Sequence, residues 1–213
     1  MSDAEFYSFL LAAYRHLLEH TKRGGGIYVF HADTEGVNYR RGMVDAGWKL
    51  AQCCVRVKNS MVMGRQDYHW QHEPILYGWK PGAAHRWPAD RTQTTVWNFD
   101  RPTRSTEHPT IKPVALLSYA ITNSSERGEI VLDTFLGSGS TLCASEQTGR
   151  ICYGGEIDPK YVDVVVLRWQ ALSGQQATLE GDGRTFDEIK NERRLIQSGT
   201  QDAITKEVPE VYL

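Results

Sequence analysis

Apolar side chains recur at helical spacing along the first twenty residues of the chain. They stand at positions 6, 9, 10, 13, 14, 17 and 18, which places them on one face of a helix. Ser2 and Glu5 have the spacing of a capping box, in which each side chain satisfies a backbone amide at the start of a helix. The pattern predicts a helix from Ser2 to about His20, which the glycines Gly24–Gly26 bring to an end.

Three predicted strands and one further helix follow this first helix. Ile27–Phe30 is a continuous β-prone run, typical of a strand buried in a parallel sheet. A helix is predicted over residues 35–46, and residues 49–58 alternate between two faces as a strand does. A further short strand is predicted at Ile75–Trp79, whereas residues 80–107 show no periodicity and predict a long loop region.

From residue 114 onwards, strands and helices alternate. Helices are predicted over residues 114–123, 141–148 and 159–172, and strands over residues 130–133 and 151–157. This alternation indicates parallel βαβ units, so we expect an α/β fold. A short strand at Ala177–Leu179 and a charged helix near residues 185–197 complete the pattern, and residues 191–213 form a polar C-terminal tail.

Composition narrows the class of protein. The chain has 213 residues, 40% of them hydrophobic and 23% charged, which suits one globular domain if a domain takes roughly 100–200 residues. No apolar run reaches the ~18 residues of a membrane helix, and the N-terminus lacks the pattern of a signal peptide. We therefore expect a soluble, cytoplasmic protein. The cysteines form no CxxC pair, so neither a metal site nor a disulfide framework is indicated.

Charge is segregated along the chain although the net charge is only −2. Residues 40–112 contain 12 Lys and Arg against 6 Asp and Glu, a local charge of +6, and the remainder contains 12 against 20, a charge of −8. Phosphate contacts require clustered cations rather than a basic protein overall. The pattern is therefore consistent with a nucleic-acid face on an acidic protein.

A strand, a glycine turn and the start of a helix follow one another at residues 130–142. Gly137 and Gly139 permit positive φ angles and the close approach of a ligand to backbone amides, and a helix N-terminus favours a negative group. A Walker loop would need a lysine that this turn lacks, and a dinucleotide fingerprint would need glycine in place of Leu142. Both are disfavoured, and a tight turn without a ligand remains an alternative at this point.

An acidic residue follows at the end of the next strand. Glu156 lies 23 positions after Asp133, close to the offset of about 20 residues at which an acidic side chain reaches ribose hydroxyls in nucleotide-binding α/β folds. This spacing implies an adenosine ligand without a pyrophosphate clamp. Together the segments HPTIKPVALL, VLDTFLGSGSTL and YGGEIDPKYVDV closely resemble the amino-group DNA methyltransferases, which transfer a methyl group from S-adenosylmethionine to adenine N6 or cytosine N4.

The resemblance implies a Rossmann-like methyltransferase fold in one domain over residues 1–190, with the motif order of the β group. Residues 64–107 would form the target-recognition region and residues 108–173 the cofactor-binding part. It implies S-adenosylmethionine as cofactor and double-stranded DNA as partner, with adenine N6 favoured over cytosine N4 as the methyl acceptor. The likeness is nearest to phage-like or prophage-like methylases of the restriction-modification kind.

The resemblance also assigns the cofactor residues. It makes Asp133, Phe135, Gly137 and Gly139 the cofactor loop, with Glu156 on the ribose hydroxyls, and it places His108, Thr110 and Lys112 at the methionine end of the pocket. Thr134 stands where the family more often has proline, a departure that we expect to alter the stiffness of the turn rather than its ligand contacts.

Cations and aromatic residues are interleaved over residues 64–107. Cations can contact phosphates, and aromatic rings can stack on an extruded base or fill the gap that it leaves. The candidate DNA-binding residues are Arg65, Trp70, Arg86, Trp87, Arg91 and Arg104. In the alternative interpretation, the tryptophans belong to the core of a loop-rich subdomain and the arginines to its solvated rim.

One family motif is missing. These enzymes transfer the methyl group through an Asp/Asn/Ser-Pro-Pro-aromatic motif, and no two prolines of this chain are adjacent. In the β-group order the motif would lie just before the helix that begins at Ser2. We therefore expect a sheet that is incomplete at the N-terminus, no identifiable catalytic residue, and Met1 as an internal or late start.

Three functions follow from these observations. The first is a DNA methyltransferase. The second is a binding module that is catalytically silent, holds cofactor or DNA, and forms a homodimer or completes a partner chain. The third is an oxidoreductase with a degenerate dinucleotide loop.

Overall fold

The computed structural model describes residues 1–100 and 112–194. Its helices are α1 Asp3–His20, α2 Gly36–Asp45, α3 Val114–Ser124, α4 Ser140–Thr148 and α5 Pro159–Ser173, with a 3-10 turn at Asp33–Glu35. Its strands are β1 Gly26–Phe30, β2 Lys49–Val62, β3 Trp70–Trp79, β4 Val96–Asn98, β5 Ile130–Asp133 and β6 Ile151–Gly154. Residues 186–194 are also helical, which confirms the described part of the predicted charged helix.

The start of the chain folds as its sequence predicts. The Ser2 side chain accepts a hydrogen bond from the Glu5 amide at 3.3 Å, and the Glu5 carboxylate accepts one from the Ser2 amide at 2.6 Å. These reciprocal bonds confirm the capping box. The apolar face of α1 buries Leu10 and Tyr14 in one core with Met43 of α2.

The first sheet is mixed and has the strand order β1-β3-β2-β4. Phe30 of β1 and Cys54 of β2 both pair with Ile75 of β3, and both pairings are antiparallel. The prediction of a parallel neighbour for β1 is therefore wrong within the described residues, because the β2–β3 hairpin folds back and places β3 next to β1. The strand at β4, which pairs with β2 in parallel, was not predicted from the sequence.

The second sheet consists of β5 and β6, which pair in parallel from Ile130 with Ile151 to Asp133 with Gly154. This pairing confirms the predicted βαβ unit. β6 ends at Gly154 rather than at residue 157, because the chain bends there and the Gly155 amide donates to the Asp133 carbonyl at 2.9 Å.

The two sheets share no strand pairing within the described residues. Across residues 1–100 and 112–194, β1 pairs only with β3 and β5 pairs only with β6, so each of these two strands has one open edge in this part of the chain. Both strands line a cavity of about 990 Å³ that α1 and α3 also border. That the sheet is incomplete at the N-terminus stays a prediction.

The amino ends and the carboxyl ends of β1 and β5 lie on matching sides. Lys22, which precedes β1, forms an ion pair with Glu129, which precedes β5. Beyond the carboxyl end of β1, the Lys112 ammonium lies 5.3 Å from the Phe30 ring centroid. Beyond the carboxyl end of β5, the Ser140 hydroxyl donates a hydrogen bond of 2.9 Å to the backbone carbonyl of Lys112. The carboxyl ends therefore form one edge of the molecule, called the carboxyl edge below.

Two features are absent from the described residues. No helix in this part of the chain is long and apolar enough to cross a membrane. Across the same residues, no group of three or more His, Cys, Asp or Glu side chains could hold a metal ion. The four cysteines are free, and burial raises the pKa of the Cys54 thiol to about 11.

Candidate functional site

Asp133 shapes the glycine turn from the end of β5. One carboxylate oxygen accepts a hydrogen bond from the Phe135 amide at 3.0 Å, and the other accepts one from the Thr141 hydroxyl at 2.6 Å. Both oxygens are therefore engaged across the turn, from its start to the first turn of α4. The Asp133 carboxylate thus ties the end of β5 to the start of α4.

Both glycines of the turn have positive φ, but their surroundings differ. At Gly139, with φ of 81°, an added Cβ would lie 3.0 Å from the Val165 side chain, so α5 packs directly against the backbone. At Gly137, with φ of 55°, the nearest atom to an added Cβ is the Phe135 carbonyl oxygen at 4.0 Å. Gly139 therefore serves packing, whereas the backbone at Gly137 faces open space that a ligand can enter.

Glu156 lies directly against this turn. One carboxylate oxygen accepts a hydrogen bond from the Gly137 amide at 2.7 Å, and the other accepts one from the Asp158 amide at 3.0 Å. The hydrogen bond from Asp158, together with that from Gly137, holds the pKa of Glu156 below its ordinary value although partial desolvation raises it. The structure thus brings an ionised acceptor to the open side of the turn.

Phe135 borders the same space. Its side chain is 62% exposed, and its ring meets that of Phe9 on α1 edge-on with centroids 6.0 Å apart. Both residues line the cavity between the sheets, as does Lys112. Four residues of the predicted cofactor loop and Glu156 therefore converge at the carboxyl edge with Lys112, whereas His108 and Thr110 lie outside the described residues.

Arg168 of α5 supports the turn and was not predicted from the sequence. Its guanidinium donates to the Ser138 carbonyl and to the Ser138 hydroxyl, the latter at 2.9 Å. Ser138 itself is buried between the two glycines. No local signal marks Arg168, because its partner lies 30 positions away and is reached only once α5 packs on the turn.

The hairpin of β2 and β3 carries two of the predicted DNA-binding residues. Residues 57–72, called the arm below, include exposed Arg65 and half-buried Trp70, whose ring lies edge-on to that of His72 with centroids 5.6 Å apart. β2 runs parallel to β1, since both are antiparallel to β3. The arm therefore extends past the carboxyl edge.

Arg86 and Trp87 lie at the opposite, amino edge. The Arg86 guanidinium pairs with Glu126 at 2.6 Å and Glu129 at 3.8 Å, the residues that precede β5. The Trp87 indole donates to the Asp90 carbonyl at 3.1 Å. Of the other two predicted DNA-binding residues, Arg91 is exposed in the following turn, and Arg104 lies outside the described residues.

A buried arginine fixes the chain where it returns to the carboxyl edge. Arg56 of β2 is only 3% exposed and donates to the carbonyls of Phe99 and Asp100 at 3.2 and 3.0 Å. It also donates to Glu73 at 3.2 Å, and Glu73 pairs with Lys58 at 2.9 Å. Sequence alternation placed Arg56 on a strand but gave no sign that the guanidinium is buried.

Comparison with known proteins identifies the family. Residues 2–167 match the N6/N4 methyltransferase family, described as DNA methylase. The chain belongs to this DNA methylase family. Among curated relatives, the type II methyltransferase M.BglII from Bacillus subtilis is 32% identical over 114 residues, which cover 52% of this chain and 30% of M.BglII. The chain is thus matched to only about a third of that relative's length.

Solved structures of methyltransferases share the fold of this DNA methylase chain. The M1.HpyAVI complex with SAM superimposes with a TM-score of 0.67 at 23% identity, covering 75% of this chain and 81% of that one. The cytosine-N4-specific PvuII DNA methyltransferase superimposes with a TM-score of 0.70 at 15% identity, covering 79% and 72%. These likenesses confirm the predicted Rossmann-like methyltransferase fold.

Proposed function

We propose that the chain binds S-adenosylmethionine at the turn after β5 and takes part in methylating an exocyclic amino group of a DNA base. The observation that carries the proposal is the Glu156 carboxylate against the Gly137 amide, beside backbone that faces open space. Family membership and the SAM complex of M1.HpyAVI support the same cofactor.

The residues at the turn fit such a cofactor. Gly137 offers close approach to the backbone, Glu156 offers an ionised acceptor for ribose hydroxyls, and Phe135 offers an exposed aromatic face. Asp133 and Gly139 hold the turn in shape. By resemblance, His108, Thr110 and Lys112 border the methionine end. When bound, the cofactor supplies the methyl group.

DNA is the proposed partner at the same edge. The arm, with Arg65 and Trp70, extends past the carboxyl edge where the proposed cofactor site lies. Arg86 and Trp87 are braced at the other edge by Glu126, Glu129 and the Asp90 carbonyl. We therefore keep Arg65 and Trp70 as DNA-binding candidates at the carboxyl edge and assign Arg86 and Trp87 to bracing of the amino edge. Arg91, which is exposed, and Arg104, which lies outside the described residues, stay candidates on the sequence pattern alone.

The methyl acceptor remains a choice between two amines. The sequence resemblance favours adenine N6, whereas the PvuII enzyme, which shares the fold, is cytosine-N4-specific. Unmethylated DNA is treated with the chain extended by a segment that carries a Pro-Pro-aromatic motif, and its methylated nucleosides are separated by chromatography and identified by mass spectrometry. N6-methyladenine as the product supports the preferred acceptor, and N4-methylcytosine overturns it.

A second candidate function is a chain that binds ligands but completes its catalytic site with another polypeptide segment. The observation that favours it is the pair of open strand edges on β1 and β5, which line one cavity. Parallel strands elsewhere lie about 4.8 Å from their neighbours and satisfy each other's amides, so two open edges favour addition of a strand. The absence of a Pro-Pro pair from the sequence points the same way.

Calorimetry with two cofactors tests the primary proposal. We expect S-adenosylmethionine and its demethylated product to bind the full chain with one site, and NAD not to bind. Binding of NAD alone would support the oxidoreductase reading and overturn the methylase cofactor site.

A further inference from the structure

The tip of the arm exposes apolar and aromatic side chains to solvent. Tyr68 is 91% exposed and Met63 is 78% exposed, and Met61 and Val62 are exposed beside them. Single exposed apolar residues are ordinary on protein surfaces, but several on one loop indicate a contact surface. Their position on a hairpin tip concentrates them in a narrow projection.

The arm projects well beyond the sheet. Ile75 of β3 is level with Phe30, the last residue of β1, and β3 extends from Ile75 to Trp70 in the direction of the arm. Five residues at about 3.3 Å each carry Trp70 roughly 17 Å past that level. Residues 63–69 form the tip beyond it.

The stem of the arm is well anchored. The Lys58 ammonium pairs with Glu73 at 2.9 Å, and the Gln71 amide donates to the Lys58 carbonyl at 3.1 Å. Between the pairs Val57 with His72 and Val62 with Trp70, four residues of β2 stand opposite a single residue of β3. Such a bulge increases strand twist and redirects the end of a hairpin.

The tip combines two chemistries. Arg65 is an exposed cation in the same loop as Tyr68 and Met63, and Asp67 is the one acidic residue among residues 63–69. Cations attract DNA phosphates, and apolar or aromatic side chains can enter the base stack as wedges that unstack neighbouring pairs. Removing a base from the stack is easier when a side chain fills the gap.

We propose that Tyr68, supported by Met63, is a wedge that enters the DNA base stack beside the base presented to the cofactor site. The inference rests on the proposed function and extends it, because it assigns the unstacking step to named side chains. The occupant it commits to is duplex DNA. The arm and the glycine turn lie at the same edge of the fold, which favours DNA over a protein partner.

Plasmid unwinding tests the wedge without knowledge of the recognition sequence. Relaxed plasmid is incubated with the full chain and topoisomerase, and the change in linking number is measured per bound protein. We expect the parent to unwind the plasmid, Tyr68→Phe to do the same, and Tyr68→Ala with Met63→Ala to lose most of the unwinding. DNA affinity should fall about tenfold in the double variant, as for the loss of one base-stacking contact.

A matched variant, Leu172→Ala, truncates an exposed apolar side chain on α5 and should unwind DNA as the parent does. If the parent and the double variant bind and unwind DNA equally, the wedge is overturned while DNA binding stands. If the parent binds no DNA, both the wedge and the proposed function are overturned. If the double variant differs from the parent only in self-association by sedimentation, the tip joins two copies of the chain and the wedge is again overturned.

Discussion

The Gly137 amide donates a hydrogen bond of 2.7 Å to the Glu156 carboxylate across the carboxyl edge of the β5–β6 sheet. This contact joins the turn after β5 to the segment after β6, two parallel strands whose carboxyl ends meet at one edge. Ligands of open parallel sheets bind at such an edge. The proposed cofactor site is therefore a consequence of strand pairing as much as of the glycine motif.

Removing the Glu156 carboxylate should weaken cofactor binding. For Glu156→Ala we expect a loss of about 1–3 kcal/mol in the binding free energy of S-adenosylmethionine, as for hydrogen bonds to a charged group. Glu156→Gln should lose less, since the amide retains one acceptor oxygen. Calorimetry measures both, with Glu180→Gln as a control carboxylate exposed beyond α5. Unchanged affinity in Glu156→Ala would remove this residue from the site.

The two glycines should respond differently to a side chain. Gly139→Ala places a Cβ 3.0 Å from Val165 and strains a residue with φ of 81°, so we expect lower stability by about 1–3 kcal/mol. Val165→Ala should restore part of that loss by making space. Gly137→Val has room for its Cβ, but the φ of 55° also strains a β-branched residue, so some stability is lost here too. Because the valine side chain fills the open side of the turn, cofactor affinity should fall more than for Gly139→Ala. Thermal unfolding and calorimetry on the same samples separate the two effects, and equal losses of affinity would contradict the distinction.

Arg65 and Arg86 should differ in their effect on DNA binding. Arg65→Gln removes an exposed cation from the arm, and the salt dependence of DNA binding should flatten by about 0.9 log–log units if one phosphate contact is lost. Arg86→Gln removes a partner of Glu126 and Glu129 at the amino edge, so the slope should stay at the parent's value. Fluorescence anisotropy over a salt series gives both slopes. A flatter slope for Arg86→Gln alone would reverse the assignment of the two edges.

Glu73 should make folding stability depend on acid pH. Burial raises the pKa of Glu73, but the hydrogen bond from Lys58 and the charges of Lys58 and Arg56 outweigh the effect of burial and hold that pKa below its ordinary value. A depressed carboxyl pKa stabilises the fold above the unfolded value, and this stabilisation is lost as pH falls through the folded pKa. We expect Glu73→Gln to reduce the loss of stability between about pH 5 and pH 3 in denaturant titrations. Arg56→Met should lower stability at neutral pH by about 1–3 kcal/mol. An unchanged acid profile for Glu73→Gln would show that other carboxyl groups dominate.

Local signals in the sequence predicted most helices. α1 has its capping box and apolar face, and α5 begins with Pro159 after the capping residue Asp158. The start of each of these helices is therefore determined by residues close by in the sequence. The strand neighbours were harder to predict. β1 pairs with β3 because the β2–β3 hairpin folds back, and the paired residues Phe30 and Ile75 are about 45 positions apart in the sequence. β4 has only three residues and is stabilised as a strand by its pairing with β2.

The same division applies to the site. The glycine turn and Glu156 were predicted because strand, turn and acidic residue follow one another in the chain. Arg168 and Arg56 were missed because each acts on backbone carbonyls that are remote in sequence. Arg86 and Arg65 both belong to a basic, aromatic stretch, and only the fold shows that they lie at opposite edges.

Methyl transfer to DNA tests most directly whether the chain needs a further segment for catalysis. Tritiated S-adenosylmethionine and unmethylated DNA are incubated with the 213-residue chain, and with a version extended before Ser2 by a strand that ends in a Pro-Pro-aromatic motif. Positioning of well-oriented reactants accounts for roughly 7–11 kcal/mol of a barrier, so the chain without the motif should bind cofactor yet incorporate no label above background. Incorporation only by the extended version is the predicted result, and robust incorporation by the 213-residue chain alone would contradict it.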